Sequence, residues 1–183
     1  MYGMVNRALE GMVLDNFGEG VWAKIKARAG IDVDSFSSFS SYDDSVTYGL
    51  AGAASEELDR PLPELLREFG HYWIEFALKS SYGPILRQSG NDLHELLPTL
   101  DQMHVRIGRS FPELKPPSFN VLSDDGRLIR LRYDSPREGL APFVVGLLEG
   151  LGAMFDTPVT VTHGEPADDG HVVFEIHCGA VNA

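Results

Sequence analysis

The chain has 183 residues, 43% hydrophobic and 23% charged, the balance of one ordinary globular domain spanning 1–183. Its 27 acidic and 15 basic residues give a formal net charge of −12, which argues against nucleic acid and against an anionic membrane surface, because both need a dense field of Lys and Arg. The single cysteine, Cys178, rules out an internal disulfide and a zinc site of several thiolates. With no basic-then-apolar leader and no long uncharged apolar run, a cytoplasmic, reducing setting without a membrane span is expected.

The first two-thirds reads as helical. Val5, Ala8, Leu9, Met12 and Val13 repeat at helical spacing up to Gly18, and Val21, Trp22, Ile25 and Ala29 form a second set closed by Gly30. A third helix is expected over Val46 to Leu58. Pro61 and Pro63 open a fourth, which carries Leu65, Phe69, Trp73, Phe76 and Ala77. Helical pattern resumes near Asn91 and runs to about Ser110, broken by Pro98. Pro116 and Pro117 then stop the helices. Val121 and Leu122, the turn Asp124-Asp125-Gly126 and the run from Leu128 to Tyr133 read as a hairpin. A helix is expected from about Pro136 to Phe155, then strands from Val159 to His163 and from Val172 to His177. The fold class is therefore α+β: a helical N-terminal part and a C-terminal, mostly antiparallel sheet with a packed helix.

Two features carry chemistry. His104 shares an apolar helical stripe with Leu100, Ile107 and Phe111. A neutral imidazole facing inward is either a core histidine hydrogen-bonded to a carbonyl or a ligand to a metal or haem, and spacing does not separate the two. Tyr133, Ser135 and Arg137, two apart in an extended segment, project together as three hydrogen-bond donors for carboxylates, such as the two propionates of a haem. The same Ser135, with Pro136 and Glu138, also reads as a capping box at a helix start.

Leu100, Asp101 and His104, then Lys115-Pro116-Pro117, then Tyr133, Ser135 and Arg137, follow one another at a spacing that resembles the haem nitric oxide/oxygen binding (H-NOX) domain, the sensor module shared by bacterial proteins and soluble guanylate cyclases. Met1-Tyr2-Gly3, Phe69-Gly70-His71-Tyr72-Trp73 and Gly146-Leu147-Leu148-Glu149-Gly150 extend the resemblance over nearly the whole chain, and the variant looks closest to the cyanobacterial type. The resemblance implies a non-covalent b-type haem between the helical part and the sheet. His104 would be the proximal ligand, Tyr133, Ser135 and Arg137 the propionate clamp, and Pro117 the proline that presses on the macrocycle. Of Asp43 and Asp44, Asp43 is favoured as the acid steadying the arginine. Met1, Val5, Leu9, Phe143 and Leu147 would wall the gas side.

Oxygen-binding members place a tyrosine where this chain has Phe143, or Pro142 if the alignment slips by one. Neither donates a hydrogen bond, so the resemblance implies binding of nitric oxide and carbon monoxide with oxygen disfavoured. Trp73 matches another distal position, and its indole N–H could preserve a weak oxygen affinity. Signalling would pass through the iron–His104 bond to a partner such as a histidine kinase or a cyclic-di-nucleotide enzyme. The late histidines His163, His171 and His177 with Cys178 lie where some members bind zinc through cysteines this chain lacks, and are expected to be exposed. No Gly-x-Ser-x-Gly elbow, phosphate loop or His-Glu-x-x-His motif is present, so no enzyme is expected. The competing reading is a haem-free module for a partner or an apolar small molecule.

Overall fold

The structure, a computed structural model, describes residues 1–109, 111 and 113–179. Helices α1 (Gly3–Phe17), α2 (Glu19–Ala29), α3 (Asp44–Leu58) and α4 (Leu62–Lys79) form the N-terminal part. Gly18, at φ 83°, separates α1 from α2, and Gly30 ends α2 in the left-handed region, where a side chain would be strained. Asp43 caps α3 by accepting from the Ser45 N–H at 2.8 Å. Leu9, Val13, Ile25, Leu50 and Leu65 are the buried centre of this part.

The expected helix from Asn91 to Ser110 is three pieces: α6 (Leu93–Leu96), a 3-10 turn (Leu97–Thr99) holding Pro98, and α7 (Leu100–Gly108). A short helix before it, α5 (Gly83–Gln88), was not anticipated; six residues give too little periodicity to read. Strands β1 (Ser118–Asp124), β2 (Leu128–Asp134), β3 (Val159–His163) and β4 (Val172–Cys178) form one antiparallel sheet in the order β1-β2-β4-β3. This is the expected α+β architecture. Inward-facing Ile129, Leu131 and Tyr133 of β2 and Phe174 and Ile176 of β4 pack against Leu148 and Leu151 of α8 (Ala141–Met154), making a second core.

The chain departs from expectation between Pro136 and Leu140. No helix begins at Ser135. Its hydroxyl accepts from the Arg137 N–H two residues on, at 3.1 Å, and Gly139 at φ 75° turns the chain before α8 starts at Ala141. The capping-box reading is thus corrected: tertiary bonds from α3, Asp44 to Arg137 and the Tyr48 hydroxyl to the Glu138 carbonyl, hold this segment as a bent loop and override its local helix-start signal.

α8 crosses α4 with backbone against backbone. A β-carbon on Gly70 would run into the Phe143 carbonyl, and one on Gly146 into the Arg67 carbonyl. Across this crossing Arg67 donates to Glu149 at 2.8 Å, and His71 meets the same carboxylate at 3.0 Å. The crossing sets where Trp73 and Ile74 of α4 stand relative to Phe143 and Leu147 of α8.

Candidate haem site

Between the two cores lies a cavity of about 280 Å³. α4 supplies Trp73, Ile74 and Ala77, α7 supplies Leu100, Met103, His104 and Ile107, and α8 supplies Phe143, Val144 and Leu147. The N-terminus closes one side with Met1 and Val5, and the sheet side contributes Phe119, Tyr133, Ser135 and Arg137. Pro117 lines the same space. Ten of the eleven residues that the resemblance placed around a haem therefore meet in one cavity. Leu9 does not; it lines a smaller apolar chamber of about 60 Å³ that shares Val5 and Phe143 with the cavity. Phe143 lines the cavity, whereas Pro142 is not among its lining residues.

His104 sits on the inner stripe of α7, as the spacing of Leu100 and Ile107 requires. Burial pushes its imidazole below the usual histidine range, with the Asp101 charge and the Pro117 carbonyl opposing it. The ring is thus neutral at pH 7. Its Nδ1 is buried and has no hydrogen-bond partner of proper geometry among the described residues. The core-histidine reading requires such a partner. Asp101, one turn earlier, accepts from the Phe119 N–H at 2.7 Å and the Ser118 hydroxyl at 2.8 Å, tying the start of α7 to β1.

Tyr133 is buried against Phe119 and Phe174, with ring centroids 5.3 and 6.0 Å away, and this burial pushes its phenol above the ordinary range. Arg137 is oriented from two sides: Nε donates to Asp44 at 2.8 Å and Nη1 to the Lys115 carbonyl at 2.8 Å. The partner of Arg137 is thus Asp44 and not Asp43. The Asp43 side chain turns back to cap α3, while Asp44, the first helical residue, projects across to Arg137. Burial alone would raise the Asp44 carboxyl, but the Met1 ammonium at 2.5 Å and Arg137 outweigh it and hold the group below its ordinary value.

The sequence reading missed several lining residues. Tyr82 and Leu86 come from the unanticipated α5 region, and Phe119 enters at the start of β1. Only the alternation of the hairpin pointed to Phe119. The late histidines are apart from this site: His163 and His177 are exposed, and His171 pairs with Asp169. Among the described residues no group of three His, Cys, Asp or Glu side chains is placed to hold a metal ion.

Residues 2–163 match the haem-NO-binding family model. The chain belongs to the haem-NO-binding family. These H-NOX domains are haem-based gas sensors, and this one is similar to the soluble guanylate cyclase gcy-31 of Caenorhabditis elegans, 26% identical over 181 residues, covering 97% of this chain and 26% of that protein. It also resembles the beta-2 subunit of the soluble guanylate cyclase of Rattus norvegicus, 34% identical over 99 residues, covering 54% of this chain and 14% of that one. The chain thus spans about a quarter or less of these curated relatives. The H-NOX protein of S. oneidensis, solved in its Fe(II)NO ligation state, superposes with a TM-score of 0.86 at 23% identity, covering 98% of this chain and all of that one (100%). The unliganded Fe(II) H-NOX protein of K. algicida gives 0.86 at 20% identity, with 100% and 99% covered. At these identities the likeness shows the fold. None of the relatives described is cyanobacterial.

Proposed function

We propose that this H-NOX domain holds a b-type haem in the cavity between its two cores and senses nitric oxide, and also carbon monoxide, in the ferrous state. The observation that carries this is His104: a neutral imidazole on the wall of a largely apolar cavity, with a buried Nδ1 that has no hydrogen-bond partner among the described residues. The donor set on the sheet side fits the rest of the group. Tyr133, Ser135 and Arg137 line the cavity edge and supply a phenol, a hydroxyl and a guanidinium for two carboxylates. The lack of a Cys-x-x-Cys-His motif fits non-covalent binding.

A bound haem would supply the iron that takes a diatomic gas. His104 would hold that iron through its imidazole and so tie it to α7, and Pro117, which lines the same cavity, would pack against the macrocycle. On the gas side Met1, Val5, Phe143 and Leu147 present no side-chain hydrogen-bond donor, so oxygen, which gains most from such a donor, is disfavoured. Trp73 stacks on Phe76 and meets Phe69 edge-on, with centroids 6.0 and 6.3 Å away, a packing role that leaves its N–H secondary. A signal leaves through α7, because His104 is its one proposed bond to the bound group. The recipient is proposed to be a histidine kinase or a cyclic-di-nucleotide enzyme, and the domain itself to act on no substrate. Among the described residues no helix is long and apolar enough to cross a membrane, which fits a cytoplasmic setting.

The test is the absorption spectrum of the ferrous protein in air and then with nitric oxide. A strong Soret band that shifts with nitric oxide and not with air is expected. A protein that stays colourless after haem is added overturns the reading in favour of a haem-free module. Replacing His104 by glycine and supplying imidazole tests the tether. If the partner responds to nitric oxide equally with and without the covalent link, α7 does not carry the signal.

A further inference from the structure

Helices α1 and α3 share a buried polar pair that the cavity does not account for. The Thr47 hydroxyl donates to Asn6 Oδ1 at 2.7 Å. Asn6 is 0% exposed and Thr47 8%. The Asn6 Nδ2 is buried and has no hydrogen-bond partner among the described residues. The larger buried side chains beside the pair on these two helices are apolar, Leu9, Met12 and Leu50 among them. A donor left unbonded in such a place costs stability, and two apolar groups of similar shape would avoid that cost. A threonine hydroxyl inside a helix ordinarily bonds back to a carbonyl one turn earlier. This one reaches to another helix.

The elements that the pair joins give it a role. Asn6 follows Val5, which walls the cavity together with Met1. Thr47 stands beside Asp44 and Tyr48 on one face of α3, at the spacing i, i+3 and i+4. Asp44 accepts from Arg137 Nε at 2.8 Å, and the Tyr48 hydroxyl donates to the Glu138 carbonyl at 3.0 Å. One face of α3 thus grips the loop that bears Arg137 and, through Thr47, the helix that bears Val5. The Met1 ammonium also meets Asp44, but Asp44 is 39% exposed and water screens that ion pair. The bond between Asn6 and Thr47 is enclosed and escapes such screening.

We propose that Asn6 and Thr47 are positioning residues: their bond locks the gas-side wall on α1 to the grip of α3 on Arg137, so that wall and clamp move as one body. A displacement of Val5 carries α1 with it, and the joint passes that displacement to α3 and on to Arg137. Without the joint the two walls respond separately. The identity of the clamp's ligand rests on the haem reading; the joint itself does not.

The experiment is a double-mutant cycle on the full chain. Thr47→Val replaces the hydroxyl by a methyl, and Asn6→Leu/Thr47→Val makes both ends apolar. Arg137→Ala opens the clamp. Two quantities are read on each protein: the Kd for carbon monoxide of the ferrous, haem-loaded form, and amide hydrogen exchange of α1 in the haem-free form. Arg137→Ala is expected to change both by at least about fivefold in the wild type and by less than about twofold where Thr47 is valine. Thr47→Ser keeps the hydroxyl and is expected to keep the wild-type response, which a loss of packing alone would not restore. Thr47→Val by itself keeps the cycle decisive should the double apolar variant not fold. Equal effects of Arg137→Ala with and without the Thr47 hydroxyl overturn the proposal, and so does a serine variant that behaves like the valine one. If no Soret band forms, the sensor reading falls, while hydrogen exchange of α1 still decides the joint.

Discussion

At the scale of single residues, His104 and Phe143 separate binding from stability. The buried Nδ1 of His104 has no hydrogen-bond partner among the described residues. His104→Ala is therefore expected to shift the stability of the haem-free protein by no more than about 1–2 kcal/mol in urea unfolding, set by lost packing alone. The same variant should lose the haem or change its coordination, and an unaltered Soret spectrum would show that another side chain holds the iron. Phe143→Tyr places a phenol on the gas wall. One hydrogen bond of about 1–1.5 kcal/mol corresponds to roughly tenfold tighter oxygen binding, read as a spectral change of the ferrous variant in air. Asp44 is the third such residue. Its carboxyl is held low by the Met1 ammonium and Arg137 against the cost of burial. A depressed carboxylate stabilises the fold above its unfolded value of about 4 and loses that contribution as pH falls through the lower folded value. Asp44→Asn removes this, so the variant is expected to be less stable than wild type at pH 7, with the gap closing on acidification below pH 4. A gap that stays unchanged well below pH 4 would mean that the ion pair adds nothing.

At the scale of elements, two contacts position the walls of the cavity. Asp101 bonds the start of α7 to the Phe119 N–H and Ser118 hydroxyl of β1. Asp101→Ala leaves that N–H without its partner and is expected to cost about 1–3 kcal/mol and to broaden the haem spectrum as His104 loses its fixed position. The α4–α8 crossing leaves no room for a β-carbon at Gly146, and the clash is with backbone, which no rotamer change relieves. Gly146→Ala is expected to destabilise by about 1–3 kcal/mol and to weaken haem retention, because Trp73 and Phe143 must move apart. A variant with wild-type Cm and haem content would show that the helices shift freely at this point. The same crossing illustrates the reach of the sequence. The glycine at 146 is visible in the chain, but nothing local says which helix it meets.

At the scale of the whole molecule, the cavity divides the hydrophobic interior in two. One core belongs to α1–α4 and the other to the sheet with α8, and Trp73 packs against both. A group bound between them adds contacts that the unfolded chain lacks, so binding is linked to folding. Adding haem to the haem-free protein should raise Tm, and by more as its free concentration increases. An unmoved Tm alongside a full Soret band would place the haem on the surface instead. The strongly acidic charge acts at this scale too, keeping copies of the chain apart.

The sequence alone determined the helices with long, regular apolar patterns, the four strands and the break at the two prolines, because hydrophobic period and turn residues are local signals. It also brought forward His104, Tyr133, Ser135 and Arg137, whose spacing survives in one dimension. Tertiary structure decided what local signals leave open. It made Ser135 part of a held loop instead of a helix cap, since bonds from α3 outweigh one capping hydroxyl. It chose Asp44 over Asp43 for Arg137, because adjacent residues at a helix start point in different directions. It put Phe143 and not Pro142 on the wall, and it brought Tyr82 and Phe119 to the same cavity from elements distant in the chain. Side-chain direction and long-range proximity are set by packing, and packing exists only once the chain has folded.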